Sequence, residues 1–308
     1  MSDANSNSQS VAAVVVTYNR KALLAKCLDS LLAESRALDA IFVIDNASSD
    51  GTAETISEHY AGRVTYERLA KNTGGAGGFY HGMKLAHEAG FDWIWLMDDD
   101  VTPAPDCLDQ LLRESRAARV LVPLRVSPDG TNAEGSAVAA YWNTPGVRRL
   151  KGDRVFDLYP DLATIPDVIR LEDFSFEGPL FHRSVVERVG YPRRDFFVLC
   201  DDTEYAWRIL TTGPETLLCV TAARMIRQLP ETAASPVSTW RRYYFNRNAL
   251  ILKRMYSKTL QERFELACYY GLATVKAFVA NRFSGEILGA QLHAWVDSHR
   301  RVLPVRYR

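Results

Sequence analysis

Four short apolar runs, each followed by polar residues and separated by segments of helical spacing, constrain the fold of this chain most. These runs are Val11–Val16, Ile41–Ile44, Val64–Leu69 and Trp93–Met97. Runs of this length that are rich in β-branched residues are typical of buried strands. The alternation with helices predicts an α/β fold, with a mostly parallel central sheet and helices on both faces.

Polar residues follow each of the four predicted strands. Ligands of open α/β sheets bind outside the carboxyl ends of the strands, so we expect these side chains to meet at one edge of the sheet. The residues are Thr17, Tyr18, Asn19 and Arg20 after the first strand, Asp45 and Asn46 after the second, Asn72 after the third, and Asp98, Asp99 and Asp100 after the fourth.

The remaining chain is less regular. We predict strands over Leu121–Val126, Phe174–Phe181, Asp195–Leu199 and Thr216–Met225, and helices over Ser184–Val189, Thr203–Thr211 and the chain from Trp240 onward. The segment 127–173 has no clear period, so it receives no firm assignment. The pattern predicts three units: a disordered tail over 1–10, an α/β domain over 11–239 and a helical region over 240–308.

Composition excludes several classes of protein. The 308 residues are 47% hydrophobic and 24% charged, as in globular proteins. Basic and acidic residues number 37 each, which argues against a surface built for nucleic acid. From Trp240 onward, however, 13 Lys and Arg stand against 4 Asp and Glu. This excess predicts a region that meets an anionic partner, with a solvated helix face as the alternative.

Cysteine usage and hydropathy indicate the compartment. Five cysteines without a CxxC pair argue against a zinc site or a disulfide framework, and reduced cysteines are typical of cytoplasmic proteins. The first ten residues contain no apolar signal-peptide segment. The longest apolar stretch, 266–280, is interrupted by Lys276 and is too short to span a bilayer. We therefore expect a cytoplasmic protein.

Asp98, Asp99 and Asp100 form a cluster of adjacent carboxylates, which repel one another unless a cation lies nearby. A divalent ion that also binds substrate phosphates would account for them. An exposed acidic turn is the alternative.

A glycine-rich segment, Asn72–Phe79, follows the third strand and has four glycines in five residues. It matches neither a P-loop nor a dinucleotide-binding fingerprint. We predict a loop here, with a helix from about Phe79. Because glycine lets a backbone lie close to a ligand, we expect ligand contact in this loop, and a flexible turn is the alternative.

Acidic residues also open the helix predicted after residue 200, where Asp201, Asp202 and Glu204 stand close together. Carboxylates favour helix N-termini electrostatically, which alone could explain them. The functional interpretation is a general base, since a hydroxyl that acts as a nucleophile must lose its proton.

The segment Trp240–Asn248 combines arginines with aromatic residues. Arginine suits phosphates and aromatic rings suit sugars or lipid, so Arg241, Tyr244 and Arg247 are candidate ligand contacts. A core helix with arginines that extend to solvent is the alternative. The next helix, around Phe264, fits either a membrane surface or burial.

Taken together, these motifs resemble the inverting GT-A glycosyltransferases of family 2, over roughly residues 11–255. The glycine-rich segment and the triple aspartate look most like the galactofuranosyltransferases of actinobacterial cell-wall galactan synthesis, and related rhamnosyltransferases share the layout. The segments that carry the resemblance are Val14–Arg20, Val43–Asn46, Asn72–Phe79 and Trp95–Asp100.

The resemblance implies a GT-A catalytic domain over 11–239 with a UDP-sugar donor. It places the donor against Thr17, Tyr18, Asn19, Arg20, Asp45, Asn46, Asn72, Gly74, Gly75, Asp98 and Asp99. Asp98 and Asp100 would bind Mn²⁺ or Mg²⁺, Asp202 would be the catalytic base with Asp201 and Glu204 positioning the acceptor, and the helix with Arg241, Tyr244 and Arg247 would lie on the acceptor side.

One departure from the family concerns the metal. The family commonly supplies a histidine as a third ligand about two dozen residues after the base, but this chain has Ile226 or Arg227 there. Either two aspartates, phosphates and water hold the ion, or Arg227 supplies part of its charge.

The expected activity is inverting transfer of galactofuranose to a glycan or polyprenyl-pyrophosphate-linked acceptor, with peripheral contact to the inner face of the plasma membrane. Three alternatives stay open: a rhamnosyltransferase that uses dTDP-rhamnose, a nucleotidyltransferase, and a non-catalytic protein that binds sugar nucleotides or glycans.

Overall fold

The computed structural model describes residues 9–138, 153–229, 238–257, 259–280 and 285–306. The strands are β1 (Val11–Thr17), β2 (Ala40–Asp45), β3 (Thr65–Arg68), β4 (Trp93–Asp98), β5 (Val101–Pro103), β6 (Val120–Val126), β7 (Val168–Leu171), β8 (Leu180–His182) and β9 (Leu217–Arg227). The helices are α1 (Lys21–Leu32), α2 (Thr52–His59), α3 (Gly74–Glu88), α4 (Cys107–Arg113), α5 (Val155–Leu158), α6 (Arg183–Val189), α7 (Asp201–Thr212), α8 (Thr239–Tyr256), α9 (Leu260–Ala280) and α10 (Gly285–Asp297), with a 3-10 turn over Arg194–Phe196.

All nine of these strands join one sheet, in the order β3-β2-β1-β4-β8-β6-β9-β5, with β7 also paired to β9. The strands β3, β2, β1 and β4 run parallel to one another, as predicted. In the other half, β6 and β9 are parallel, while β8, β5 and β7 run antiparallel to their neighbours. The prediction of an α/β fold around a mostly parallel sheet is confirmed.

Helices cover both faces of the sheet. Val14 and Val16 of β1 pack in one buried cluster with Met83 of α3. Val15, which points the opposite way, packs in a second cluster with Leu28 of α1. Burial on both faces explains why β1 is a continuous apolar run rather than an alternating one.

The predicted loop after β3 is wrong, because α3 already begins at Gly74. The glycines allow this helix to lie close against the sheet. A Cβ on Gly78 would come within 2.5 Å of Cγ1 of Val16, and a Cβ on Gly82 would overlap Val14. Close helix–sheet packing, rather than chain flexibility, therefore accounts for Gly78 and Gly82.

Two predicted strands are also wrong. Of Phe174–Phe181, only the last two residues belong to a strand, β8. Asp195–Leu199 forms the end of the 3-10 turn and a loop whose Phe197 and Leu199 have positive φ. Carbonyls of this loop accept hydrogen bonds from Asn248 rather than from a neighbouring strand.

The C-terminal helices pack directly onto the α/β part of the chain, as Tyr243 and Tyr244 of α8 contact Phe197 and Ala290. The division at residue 239 falls at the start of α8 and stays a prediction. Most of the predicted tail, and residues 139–152 of the unassigned segment, lie outside the described residues. Among the helices described, none is long and apolar enough to cross a membrane.

Candidate active site

The carboxyl ends of β1, β2 and β4 lie side by side. Thr17 is in register with Asp45, and its hydroxyl donates a hydrogen bond of 2.6 Å to the buried carboxylate of Asp99. One guanidinium nitrogen of Arg20 donates to Asp99 at 3.2 Å and to Asp100 at 3.0 Å. Residues that follow two different strands therefore form one polar cluster.

Asp45 and Asn46 hold the backbone around this cluster. The fully buried carboxylate of Asp45 accepts hydrogen bonds from the hydroxyl of Tyr66 at 2.5 Å and from the N–H of Ser48 at 2.8 Å. The amide nitrogen of Asn46 donates to the carbonyl of Gly74 at 3.2 Å, and so joins the end of β2 to the start of α3. In this structure both side chains face protein rather than solvent.

Tyr18 and Asn19 lie at the open edge of the site. Tyr18 is 44% exposed. Asn19 has a φ of 52° and accepts a hydrogen bond of 2.7 Å from the N–H of Ser49. Ser49 lines a pocket together with Gly51 and Arg68.

At the start of α3, one glycine has space for a ligand beside it and another has none. Asn72 accepts a hydrogen bond of 2.8 Å from the N–H of Gly74. Gly74 has a φ of +75°, and a Cβ there would overlap the carbonyl of Phe197. At Gly75, by contrast, a Cβ would meet no atom closer than 3.9 Å, on Phe79. Gly74 is therefore required by the protein itself, and Gly75 borders space that a ligand can occupy.

The three aspartates after β4 form a cluster with too little positive charge around it. Burial, reinforced by Asp100 and Glu177, raises the pKa of Asp98 well above its ordinary value. Burial raises the pKa of Asp99 to about 6, and burial with Glu177 raises that of Asp100. Oδ1 of Asp100 is buried and has no hydrogen-bond partner among the residues that the structure describes. A cation would relieve this repulsion.

Glu177 is a site residue that the sequence analysis missed. The N–H of its neighbour Gly178 donates to the carbonyl of Leu96, which places Glu177 beside the end of β4. Its carboxylate accepts a hydrogen bond of 2.8 Å from the buried Arg125 and lies 3.6 Å from Arg227. The signal in the sequence was that Glu177 is the single charged residue within the mainly apolar segment Phe174–Phe181.

Asp202 is the second residue of α7, a helix that begins directly after Cys200, whose φ is 63°. Burial raises the pKa of Asp202 to about 6, and the charge of Glu177 adds to the rise. Burial and the neighbouring Asp202 raise the pKa of Asp201 to about 8. A carboxyl group with a pKa near neutrality suits a general base, so Asp202 has the electrostatic properties that the role requires.

Glu204, the third acidic residue at the start of α7, pairs with an arginine of the same helix. It is buried and forms an ion pair of 2.7 Å with Arg208, which also donates to the carbonyls of Val189 and Tyr191. The pair joins α7 to the end of α6. Because these contacts occupy Glu204, the structure gives it a packing role where the sequence suggested the positioning of an acceptor.

Two of the three candidate acceptor contacts on α8 are buried. Tyr244 is fully buried and donates to the carbonyl of Arg306 at 2.6 Å. Arg247 is buried as well and donates to the carbonyls of Phe196 and Pro304 at 2.7 Å. These two side chains therefore bind the protein's own backbone, and of the three only Arg241 is exposed.

The sequence of this chain matches a known protein family over the strands that form the site. The model described as glycosyl transferase family 2 matches residues 12–170, just over half of the chain, and includes β1 to β4 with their polar ends. The chain belongs to glycosyl transferase family 2. This membership confirms the interpretation as an enzyme over a non-catalytic binding protein.

The sequence relatives of this family 2 glycosyltransferase include galactofuranosyltransferases. It is 32% identical over 222 residues to galactofuranosyltransferase GlfT1 of Mycolicibacterium smegmatis, a match that covers 69% of each chain. It is 33% identical over 235 residues to GlfT1 of Mycobacterium tuberculosis H37Rv, covering 70% of this chain and 69% of the relative. The resemblance to galactofuranosyltransferases is thus confirmed.

Solved glycosyltransferase structures share the fold. GalNAc-T7 in complex with UDP, GalNAc and Mn²⁺ has a TM-score of 0.62 at 15% identity, over 94% of this chain and 55% of that one. The mannosyltransferase PcManGT of Pyrobaculum calidifontis, in complex with GDP-Man and Mn²⁺, has a TM-score of 0.55 at 16% identity, over 94% and 86%. These similarities confirm the GT-A fold of this family 2 glycosyltransferase.

The acidic cluster of this glycosyltransferase fits a divalent cation that substrate helps to hold. Within the described ranges, no three His, Cys, Asp or Glu side chains are grouped closely enough to bind an ion alone. Asp98 and Asp100 supply carboxylates, and the unpartnered Oδ1 of Asp100 is a ready ligand atom. Arg227 pairs in register with Val101, so a guanidinium lies near Asp100 where the family commonly has a histidine.

Proposed function

We propose that this family 2 glycosyltransferase transfers galactofuranose from UDP-galactofuranose to a glycan or polyprenyl-pyrophosphate-linked acceptor, with inversion at the anomeric carbon. The 32% identity to GlfT1, over 69% of both chains, carries the choice of donor. The separate acidic groups Asp98–Asp100 and Asp202 support the chemistry, because one can serve the departing diphosphate and the other the incoming hydroxyl.

The donor side would use the ends of β1 to β4. Asp98 and Asp100 would hold Mn²⁺ or Mg²⁺, which when bound offsets the charge of the donor diphosphate. Arg20, already bonded to Asp99 and Asp100, would add positive charge near the same phosphates. Gly75 would let the donor lie close to the backbone of α3.

The transfer step would be a single displacement. Asp202 accepts the proton of the acceptor hydroxyl while the hydroxyl oxygen bonds to the anomeric carbon. The bond from that carbon to the phosphate oxygen breaks, and UDP leaves with the electron pair. The raised pKa of Asp202, about 6, makes the carboxylate a better base than an exposed aspartate and still leaves it ionised at neutral pH.

The test compares Asp202→Asn with Asp161→Asn, a change at an exposed aspartate outside the site. With UDP-galactofuranose and a lipid-linked glycan acceptor, Asp202→Asn is expected to release UDP at least about 100-fold more slowly, the lower end of the range for general base catalysis. Its Kd for UDP should match that of the wild type, and Asp161→Asn should behave as wild type throughout. Full activity in Asp202→Asn would contradict the assignment of the base.

The choice of donor has its own test. Wild-type enzyme is supplied with UDP-galactofuranose or dTDP-rhamnose, and nucleotide release is followed with the same acceptor. We expect turnover with the UDP-sugar alone. Turnover with dTDP-rhamnose alone would replace the proposed donor by the rhamnosyl alternative.

We also propose peripheral contact between the C-terminal helices and an anionic membrane, where a polyprenyl-linked acceptor would reside. Phe264, Leu272, Val275 and Val279 of α9 lie three or four residues apart or at multiples of that spacing, and each is more than half exposed. The excess of Lys and Arg in 240–308 supports an anionic surface rather than a neutral partner.

Vesicle sedimentation tests the membrane contact. Binding to vesicles of phosphatidylcholine with 30% phosphatidylglycerol should exceed binding to phosphatidylcholine alone. Leu272→Glu combined with Val279→Glu should abolish it, whereas Leu32→Glu, at an exposed leucine on α1, should leave it intact. Equal binding by all variants would contradict the proposal, and loss of self-association in place of vesicle binding would assign the apolar stripe to a second copy of the chain.

A further inference from the structure

Residues 197–200, here named the base loop, connect the 3-10 turn to α7 and lead directly into Asp201 and Asp202. Three of its four residues have positive φ: 69° at Phe197, 67° at Leu199 and 63° at Cys200. Side chains other than glycine adopt this region at a cost, so such a loop persists where its surroundings hold it in place.

Asn248 of α8 supplies much of what holds the base loop. Its buried amide nitrogen lies 3.1, 2.9 and 2.7 Å from the carbonyl oxygens of Phe196, Val198 and Leu199, to which it donates. Its amide oxygen accepts a hydrogen bond of 2.9 Å from Arg247. One side chain thus donates hydrogen bonds to backbone carbonyls that have no strand partner, because the left-handed residues interrupt the strand conformation.

The base loop also touches the start of α3, where the donor would lie. The carbonyl of Phe197 accepts a hydrogen bond of 3.1 Å from the N–H of Ala76 and leaves no room for a side chain at Gly74. The ring of Phe197 stacks on Tyr244, with centroids 4.9 Å apart. The base loop is therefore held between α8 on one side and α3 on the other.

We propose that Asn248 is a positioning residue for the transfer reaction, and the proposal rests on the function assigned to Asp202 above. Asn248 fixes the base loop, and the loop fixes where α7 begins relative to α3. The side chain of Asn248 does not touch substrate in this role. It sets the distance between the base and the anomeric carbon, and displacement of a reacting group by about 1 Å costs on the order of 100-fold in rate.

The experiment pairs Asn248→Asp with Asn246→Asp. Both changes are isosteric and lie on the same helix, but the amide nitrogen of Asn246 donates to Gln291 of α10 at 2.7 Å rather than to carbonyls of the base loop. Asn248→Asp keeps the acceptor for Arg247 and removes the donor to the three carbonyls. We expect kcat to fall about 100-fold in Asn248→Asp, with the donor KM and the Kd for UDP within twofold of wild type, and Asn246→Asp to match wild type.

Hydrogen exchange of the backbone amides of 201–204 gives a readout that does not require turnover. These amides should exchange faster in Asn248→Asp than in Asn246→Asp. If Asn248→Asp fails to fold, Asn248→Ser, which retains one donor, carries the same comparison with an intermediate loss of kcat. The inference is overturned if exchange and kcat match the control, or if UDP affinity falls in parallel with kcat. A wild type without transfer would overturn the proposed function instead, and exchange would still test the role of Asn248.

Discussion

Substitution of Gly82 by alanine tests the packing of α3 against the sheet. A Cβ at this position would lie 2.9 Å from Cγ1 of Ile44 and closer still to Cγ1 of Val14. Both neighbours are fully buried, and β1 is paired on both sides, so neither side chain has space to withdraw. Overpacking of this kind costs up to about 3 kcal/mol, whereas alanine gains about 1 kcal/mol over glycine in a helix. We therefore expect Gly82→Ala to lose about 2 kcal/mol of unfolding free energy.

The matched control is Gly289→Ala, since Gly289 also lies inside a helix but has no atom within 4 Å of a Cβ position. Only the higher helix propensity of alanine then acts, so the unfolding free energy of this variant should rise by up to about 1 kcal/mol. Urea unfolding followed by circular dichroism measures both changes, and the two variants should move in opposite directions. Equal or greater stability of Gly82→Ala than wild type would refute the explanation of the glycines as packing residues.

Three further predictions concern the site and the pH dependence of stability. Gly75→Ala should not lower stability and should raise the donor KM, because a Cβ there meets only Phe79 at 3.9 Å; an unchanged KM would show that the donor does not approach. Glu177→Gln should weaken UDP binding in the presence of Mn²⁺ about tenfold in calorimetry, since Glu177 pairs with Arg227, whose charge acts on Asp100, and EDTA should weaken wild-type binding as well; indifference to both would exclude the metal. Burial raises the pKa of Glu34 from 4.5 to about 7, so the folded state retains a proton that the unfolded chain releases, and stability falls as pH rises between these values. Glu34→Gln should therefore raise Tm relative to wild type more at pH 8 than at pH 5, and an equal effect at both would contradict this.

The strands of the first hundred residues were predictable because their information is local. The apolar runs that become β1, β2 and β4 are buried on both faces, and each ends where its polar residues begin. Register then follows from parallel pairing, so Thr17 meets Asp45 without any further signal. The acidic residues at these ends were also visible in the sequence, because three adjacent carboxylates have few structural explanations.

The errors share a physical cause, which is dependence on distant partners. The sequence pattern of the base loop predicts a strand. The loop forms instead because Asn248, about fifty residues further on, binds its carbonyls. The glycine-rich start of α3 was predicted as a loop, because glycine is disfavoured in helices and the sequence does not show that Gly74 lies against Phe197 and Gly78 against Val16.

The strand β9 is flanked by β6 on one side and β7 on the other, and the chain from 127 to 167 leaves the sheet at one flank and returns at the other. The two ends of this excursion are thereby held at a separation that β9 sets, whatever lies between them. Loop closure then costs only about 0.6 kcal/mol for each doubling of length. A segment exchanged between Val126 and Val168 must therefore keep two contacts for the sheet to stay as it is: Glu134, which pairs with the buried Arg125 at 2.7 Å, and Val155, which is fully buried in the core.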